Sequence, residues 1–183
     1  MKRPRLHIIG GPGSGKSSVA AELSRRLGVP AYDLDDLFWD RSASRYGVRA
    51  DVDERDRRLA AIVSQDGWVI EGVYYGWLAP SFDAADMIIE LSPSIWVRHW
   101  HVIRRFLLRK LRRNASKHES LVDLWRLLRW SHEYDHRHLA EARESISARG
   151  RHLVECTTPE QIFAATSNFS YQRPAPRDAR CRR

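Results

Sequence analysis

Residues 10–18 read GGPGSGKSS and directly follow the short apolar run of residues 6–9. This stretch fits the pattern G-x-x-x-x-G-K-[ST], and the fixed positions are occupied by Gly10, Gly15, Lys16 and Ser17. Glycines let such a loop curl until several backbone N–H groups converge on phosphate oxygens, and the following helix directs its positive end to the same point. The sequence therefore predicts a strand, a phosphate-binding loop and a helix over 16–27.

A triphosphate in this loop needs donors and cations around it. Lys16 offers a mobile ammonium group to the β and γ oxygens, and Ser17 offers a hydroxyl to Mg²⁺. We expect ATP to be bound by Gly11, Gly13, Ser14, Gly15, Lys16, Ser17 and Ser18. The alternative is a glycine turn that only joins a strand to a helix. The complete motif in a strand–helix context favours the phosphate site.

Bulk composition narrows the class of protein. The chain has 183 residues, with 43% apolar and 30% charged residues, which is ordinary for one globular domain. No apolar run is long enough to cross a bilayer or to act as a secretory leader, so we expect a cytoplasmic protein without a membrane partner. Its two cysteines form neither a disulfide framework nor a metal cluster. The net charge of +8 favours anionic partners.

Short apolar strands alternate with helical patterns along the chain. The strands are predicted at 6–9, 30–34, 68–72, 86–91 and 151–156. The helices are predicted at 16–27, 94–113, 120–148 and 159–166, with a helical excursion from about 35 to 65. This alternation predicts an α/β fold, in which helices cover both faces of a parallel sheet. The proline- and arginine-rich residues 167–183 are predicted to form a disordered basic tail.

Three carboxylates follow predicted strands near the loop. Asp33 and Asp35 close the second strand on the same side, and Glu71 closes the third just before a glycine. Because the carboxyl ends of parallel strands share one edge, Asp33 and Glu71 are candidates, with Ser17, to hold Mg²⁺. Asp35 is a candidate to accept a hydrogen bond from an acceptor hydroxyl. The alternatives are an acid-rich helix start for Asp35 and a solvated strand end for Glu71.

The helix predicted over 94–113 has two contrasting faces at about 100° per residue. One face carries the apolar residues Trp96, Trp100, Ile103, Leu107 and Leu111. The other carries the basic residues Arg98, His101, Arg105, Arg109 and Arg112. We expect the apolar face to pack in the core and the basic face to cover the triphosphate, with Arg105 stabilising the transferring phosphoryl group. A solvated basic face and a clamp for a nucleic-acid backbone are the alternatives.

With these segments assembled, the chain resembles the P-loop nucleoside and nucleotide kinase superfamily over about residues 5 to 166. It is most similar to the adenylate-kinase-related bacterial group known as DNA topology modulation (FlaR-like) proteins. The resemblance lies in GGPGSGKS, YDLDDLFW and WVIEGVYYGW. It implies a P-loop NTPase sandwich with a five-stranded parallel sheet in the order 2-3-1-4-5, use of ATP with Mg²⁺, and phosphoryl transfer to a small acceptor. It also implies an acceptor lobe at about 36–65 and a helical lid at about 98–118.

The expected mechanism assigns catalytic roles to Lys16, Asp35 and Arg105. Lys16 bridges the β and γ phosphates, Asp35 orients the acceptor, and Arg105 closes over the transferring group. Tyr75 lies near the position where adenylate kinases place an arginine for the acceptor phosphate, so the acceptor stays open. A kinase of the shikimate or gluconate type is one alternative, favoured by the Asp33-x-Asp35 spacing. An ATP-binding regulator associated with nucleic acid is the other, favoured by the basic charge.

Overall fold

The computed structural model describes residues 3–40, 42–43, 47–111 and 121–169. Five strands form one parallel sheet. They are β1 (Arg5–Ile9), β2 (Ala31–Asp33), β3 (Trp68–Gly72), β4 (Met87–Leu91) and β5 (Leu153–Cys156). The spatial order is β2-β3-β1-β4-β5. Both the predicted fold class and the predicted strand order are confirmed.

Eight α-helices complete the described fold. They are α1 (Lys16–Leu27), α2 (Asp35–Phe38), α3 (Val52–Val63), α4 (Ala79–Ala84), α5 (Ile95–Leu111), α6 (Leu121–His136), α7 (His138–Ala148) and α8 (Pro159–Ala165). The helix predicted over 120–148 is two helices, and α4 is too short to give a periodic signal. Ser167–Phe169 form a 3₁₀ helix, and Phe169 packs against the core, so the ordered chain continues past the predicted start of the tail. Residues 112–118 of the predicted lid and 170–183 of the predicted tail lie outside the described residues.

The central strands are buried on both faces because successive side chains point to opposite sides of the sheet. Leu6 and Ile8 of β1 join a cluster with α1 and α8, whereas Ile9 joins a second cluster on the other face. In β3, Val69 lies in the first cluster, and Trp68 and Ile70 lie in the second. Two apolar layers therefore fix the sheet, and the loop after β1 emerges at its carboxyl edge.

The first helix begins and ends where the sequence predicts. Gly15 precedes it with φ 94°, and Gly28 follows it with φ 67°, both in the left-handed region that favours glycine. The Gly28 N–H donates to the Ser24 carbonyl at 2.9 Å and closes the last turn. Two glycines thus fix the length of α1 and place Lys16 at its first position.

Helix α5 packs through a different face from the one predicted. Trp96 and Trp100, expected in the core, are 79% and 62% exposed, and Leu107 and Leu111 on the same face are also exposed. Arg98, expected at the surface, is fully buried. The prediction of an apolar face in the core is therefore wrong for this helix.

The rotation of α5 has a physical cause on the neighbouring helix. The Arg98 guanidinium forms a two-pronged ion pair with Asp135 of α6, with Nη1 and Oδ1 at 2.8 Å. Val102 and Phe106 follow on the same face of α5 and are buried with it. A partner more than thirty residues away thus decides which face turns inward.

No helix among the residues that the structure describes is long and apolar enough to span a membrane.

Candidate active site

The loop between β1 and α1 has the conformation expected of a phosphate cradle. Gly13 and Gly15 both have positive φ, and the Ser14 N–H donates to the Gly11 carbonyl at 3.2 Å. The hydroxyl of Ser14 is buried and has no hydrogen-bond partner among the described residues. A buried donor that has no partner within the protein is available to an anion.

Lys16 lies under the loop, 7% exposed, and its Nζ donates to the Gly11 carbonyl at 3.2 Å. Burial lowers the pKa of this ammonium group, while the nearby carboxylates of Glu71, Asp35 and Asp33 act in the opposite direction. The lysine is therefore held between the loop and a group of acids. A phosphate chain bound in the cradle would contact the positive charge of Lys16 directly.

The predicted acids meet at the carboxyl edge of the sheet. Asp33 is the register partner of Glu71 across β2 and β3. Glu71 is 4% exposed, and its carboxylate hydrogen-bonds to the hydroxyl of Ser17. Burial raises the pKa of both carboxyls, and Lys16 opposes that rise in each case. The structure thus brings together the three residues predicted to hold Mg²⁺.

These residues fit a magnesium ion by the chemistry of their donors. Two carboxylates and a hydroxyl offer the hard oxygen ligands that Mg²⁺ prefers, and Mg²⁺ commonly keeps several waters and phosphate oxygens besides. The described residues contain no group of three or more His, Cys, Asp or Glu side chains arranged to hold a metal. Phosphate oxygens and water would complete the coordination around these three residues.

Asp35 begins helix α2 and faces a tyrosine that the sequence did not single out. The Asp35 N–H donates to Asp33 Oδ1 at 2.8 Å, and the Tyr74 hydroxyl donates to Asp35 Oδ1 at 2.6 Å. The Tyr74 ring stacks on Phe38, with centroids 4.5 Å apart. Burial and the Asp35 carboxylate raise the pKa of Tyr74, so it remains a donor. Tyr75 turns away and donates its hydroxyl to Glu141 of α7.

A cleft of about 1140 Å³ lies beside the loop. Its walls come from the loop, from α5 and from the start of α8. The predicted residues among them are Gly13, Ser14, Gly15, Ser17, Ser18, His101 and Arg105. Arg105 is also close enough to Lys16 to oppose its charge electrostatically. Arg112 lies outside the described residues, and no side-chain position is described for Arg109.

Sequence reasoning missed several residues that line this cleft. They are Val97 and Leu108 of α5, and Thr157, Pro159 and Phe163 near the start of α8. The β5–α8 turn has no recognisable motif, and only the fold brings it next to residue 13. The apolar side chains among them line the same cleft as the phosphate cradle.

The loop and the strand order are those that the sequence predicts for a P-loop NTPase fold. No family model matches the chain. A cytidylate kinase from Aeropyrum pernix is 30% identical over 109 residues, which cover 54% of this chain and 62% of that protein. The chain thus spans less than two thirds of that relative. The uncharacterized protein YqaC of Bacillus subtilis is 24% identical over 141 residues, covering 73% of this chain and 74% of that protein.

Among solved structures, shikimate kinase from Acinetobacter baumannii in complex with shikimate superposes with a TM-score of 0.54. The match covers 91% of this chain and 96% of that chain at 14% identity, which shows the fold alone. The cytidylate kinase supports the superfamily that the sequence predicts, and the shikimate kinase structure supports the fold.

Proposed function

We propose that this protein is a kinase that transfers the γ-phosphoryl group of ATP to a small acceptor. One observation carries the proposal. A phosphate-binding loop, a buried lysine and three carboxylates meet at one edge of the sheet, beside a cleft large enough for a nucleotide. Phosphoryl transfer needs little else from a protein, because positioning and charge stabilisation account for most of the catalysis.

The roles follow from the positions of the side chains. Lys16 would neutralise the β and γ phosphates, and Arg105 would approach the transferring group from α5. Bound Mg²⁺ would neutralise charge on the triphosphate, held by Ser17 and, directly or through water, by Glu71 and Asp33. The adenine and ribose would lie against the apolar residues that line the cleft, since the phosphates occupy the cradle.

The acceptor would bind beside Asp35, at the carboxyl end of β2. The carboxylate that already accepts the Tyr74 hydroxyl can accept an acceptor hydroxyl at its second oxygen. The Phe38–Tyr74 stack gives this position an aromatic wall. An aromatic wall suits a nucleobase, whereas Asp33 and Asp35 together suit a polyol, so a nucleotide or nucleoside acceptor is our first candidate and a non-nucleotide hydroxyl compound our second.

A panel of acceptors tests the function. Purified protein with Mg·ATP is incubated with nucleoside monophosphates, nucleosides, shikimate, gluconate and other polyols, and ADP release is measured against an acceptor-free blank. We expect one class to raise ADP release well above the blank. If no acceptor does so, and calorimetry detects no magnesium-dependent ATP binding by folded protein, the proposal is wrong.

Tyr74→Phe should weaken acceptor binding without changing ATP binding. The change removes one hydrogen bond to Asp35, so we expect the KM of the active acceptor to rise about fivefold to tenfold. Tyr32→Phe is the matched control, because the Tyr32 hydroxyl donates to Gln65 at 2.9 Å and not to the site. Equal KM values for the two variants would contradict the assignment of Tyr74. Asp35→Ala should lower turnover on the active acceptor, measured as ADP release, by about 10²-fold or more, because it removes the carboxylate proposed to orient the acceptor hydroxyl.

Three finer predictions remain proposals. They are membership of the FlaR-like group, a cytoplasmic location and an association with nucleic acid. Arg98, one of the basic residues considered for a nucleic-acid clamp, is buried against Asp135 and is not available to a phosphate backbone. A salt titration of duplex DNA binding tests that alternative, since contacts to phosphates weaken steeply with salt.

A further inference from the structure

The outward side of the phosphate-binding loop is held by side chains. In a loop whose N–H groups point inward to an anion, the carbonyl groups point outward and need their own partners. The Pro12 carbonyl accepts from the hydroxyl of Ser131 at 3.1 Å, and the Gly13 carbonyl lies 2.8 Å from Nδ1 of His101. A carbonyl can only accept, so Nδ1 is the protonated nitrogen of that imidazole.

The two holding residues belong to different helices. His101 lies on α5 and Ser131 on α6, and the buried Arg98–Asp135 ion pair joins those helices. The pair of helices α5 and α6 is called the clamp below. Because the ion pair links its two members, the clamp holds adjacent carbonyls of the loop from a single connected support.

The glycines of the loop allow the clamp to approach. A Cβ at Gly11 would collide with Nη1 of Arg98, and a Cβ at Gly13 would lie 2.5 Å from the carbonyl oxygen of Arg98. A Cβ at Gly15, by contrast, would meet nothing within 4 Å, so its positive φ is what requires glycine there. Gly11 is thus needed for packing against the clamp, and Gly13 is needed both for that packing and for its positive φ.

We infer that Ser131 and His101 are positioning residues, which hold the loop in its phosphate-binding conformation before a nucleotide arrives. This inference rests on the proposed function and adds a dependence of nucleotide affinity on the contact between clamp and loop. A loop that is already ordered loses less conformational entropy on binding than one that must be ordered by its ligand. Loosening the clamp should therefore weaken every ligand that uses the cradle.

Ser131 gives the cleaner test of the two. Its side chain is fully buried, so its removal takes no contact from a ligand in the cleft, whereas His101 lines the cleft itself. Ser81 is the matched control, because it is equally buried and its hydroxyl bonds to Leu78 and His7 rather than to the loop. Both Ser131→Ala and Ser81→Ala remove one buried hydroxyl.

The experiment measures the loop with and without ligand. Hydrogen exchange of the loop amides of Gly11, Gly13, Ser14 and Gly15 is followed in the nucleotide-free protein, since Pro12 has no amide hydrogen. Dissociation constants for Mg·ATP and for Mg·tripolyphosphate are measured by calorimetry. In Ser131→Ala we expect faster exchange of the loop and about fivefold to tenfold weaker binding of both ligands, and in Ser81→Ala neither change. Ser131→Thr, which keeps the hydroxyl, should recover part of the affinity if it folds.

The outcomes separate the two proposals. Unchanged loop exchange and affinity in Ser131→Ala, or equal losses in both alanine variants, would overturn the inference while leaving the kinase proposal intact. A wild-type protein that binds neither Mg·ATP nor Mg·tripolyphosphate would overturn the proposed function, whatever the exchange experiment shows. Loss of tripolyphosphate affinity confined to Ser131→Ala supports both, because that ligand has no base or ribose to contact the rest of the cleft.

Discussion

Lys16→Met should lower phosphoryl transfer roughly 10²- to 10³-fold or more, the scale seen when one preorganised donor to a developing charge is removed. The ammonium group is buried beneath the loop, within electrostatic reach of three carboxylates. Methionine keeps most of the length of the side chain but no charge, so the γ-phosphoryl group would lose its fixed cation while facing the same acids. We expect Mg·ATP affinity to fall as well, since the ground state uses the same contact. Turnover on the active acceptor and calorimetry with Mg·ATP measure the two effects.

Lys110→Met is the control for this substitution. Lys110 is an exposed lysine on α5, and its ammonium group lies 5.1 Å from the centre of the Phe106 ring. The same chemical change there should leave turnover within about twofold, because exposed charges far from the reaction contribute little. If Lys16→Met kept wild-type turnover in a protein of unchanged thermal midpoint, the cradle would not be the site of phosphoryl transfer.

The phosphate-binding loop could be predicted because its determinants are local. The glycines, Lys16 and Ser17 lie within nine residues, and Gly28 ends the helix that they begin. The acids could also be predicted, since strand ends in a parallel sheet must lie at one edge once the strands are identified. Asp33 and Glu71 are register partners for that reason.

The orientation of α5 could not be predicted in the same way. Its sequence offers two apolar arcs, one with Trp96 and Trp100 and another with Val102 and Phe106. Hydrophobicity alone favours burial of the face with the tryptophans. The ion pair with Asp135 instead offsets the desolvation cost of burying Arg98. The contact between Tyr74 and Asp35 could not be predicted for a similar reason. Only the packing of β2 beside β3 shows that Tyr74 faces Asp35 rather than the core. The hydrophobic periodicity of a helix does not indicate polar pairs between residues distant in sequence.

Arg98→Met should lower the free energy of unfolding by about 3 kcal/mol, at the low end for loss of one member of a buried ion pair. Arg98 is fully buried, whereas the side chain of Asp135 is 34% exposed. In the variant, water can therefore solvate the unpaired carboxylate in part. The same change should loosen the clamp, because α5 and α6 lose their ionic link beside Gly11. Chemical denaturation measures the first effect, and hydrogen exchange of the loop amides measures the second.

Two further variants show whether the ion pair is responsible. Arg129→Met removes an exposed pair with Glu133 on α6, and its denaturation midpoint should hardly move. The double variant Arg98→Met, Asp135→Leu removes both charges together and should recover much of the loss, since no unpaired carboxylate remains. If the double variant were as unstable as the sum of the two single variants, the stabilisation would come from the packing of the arginine stem and not from its charge.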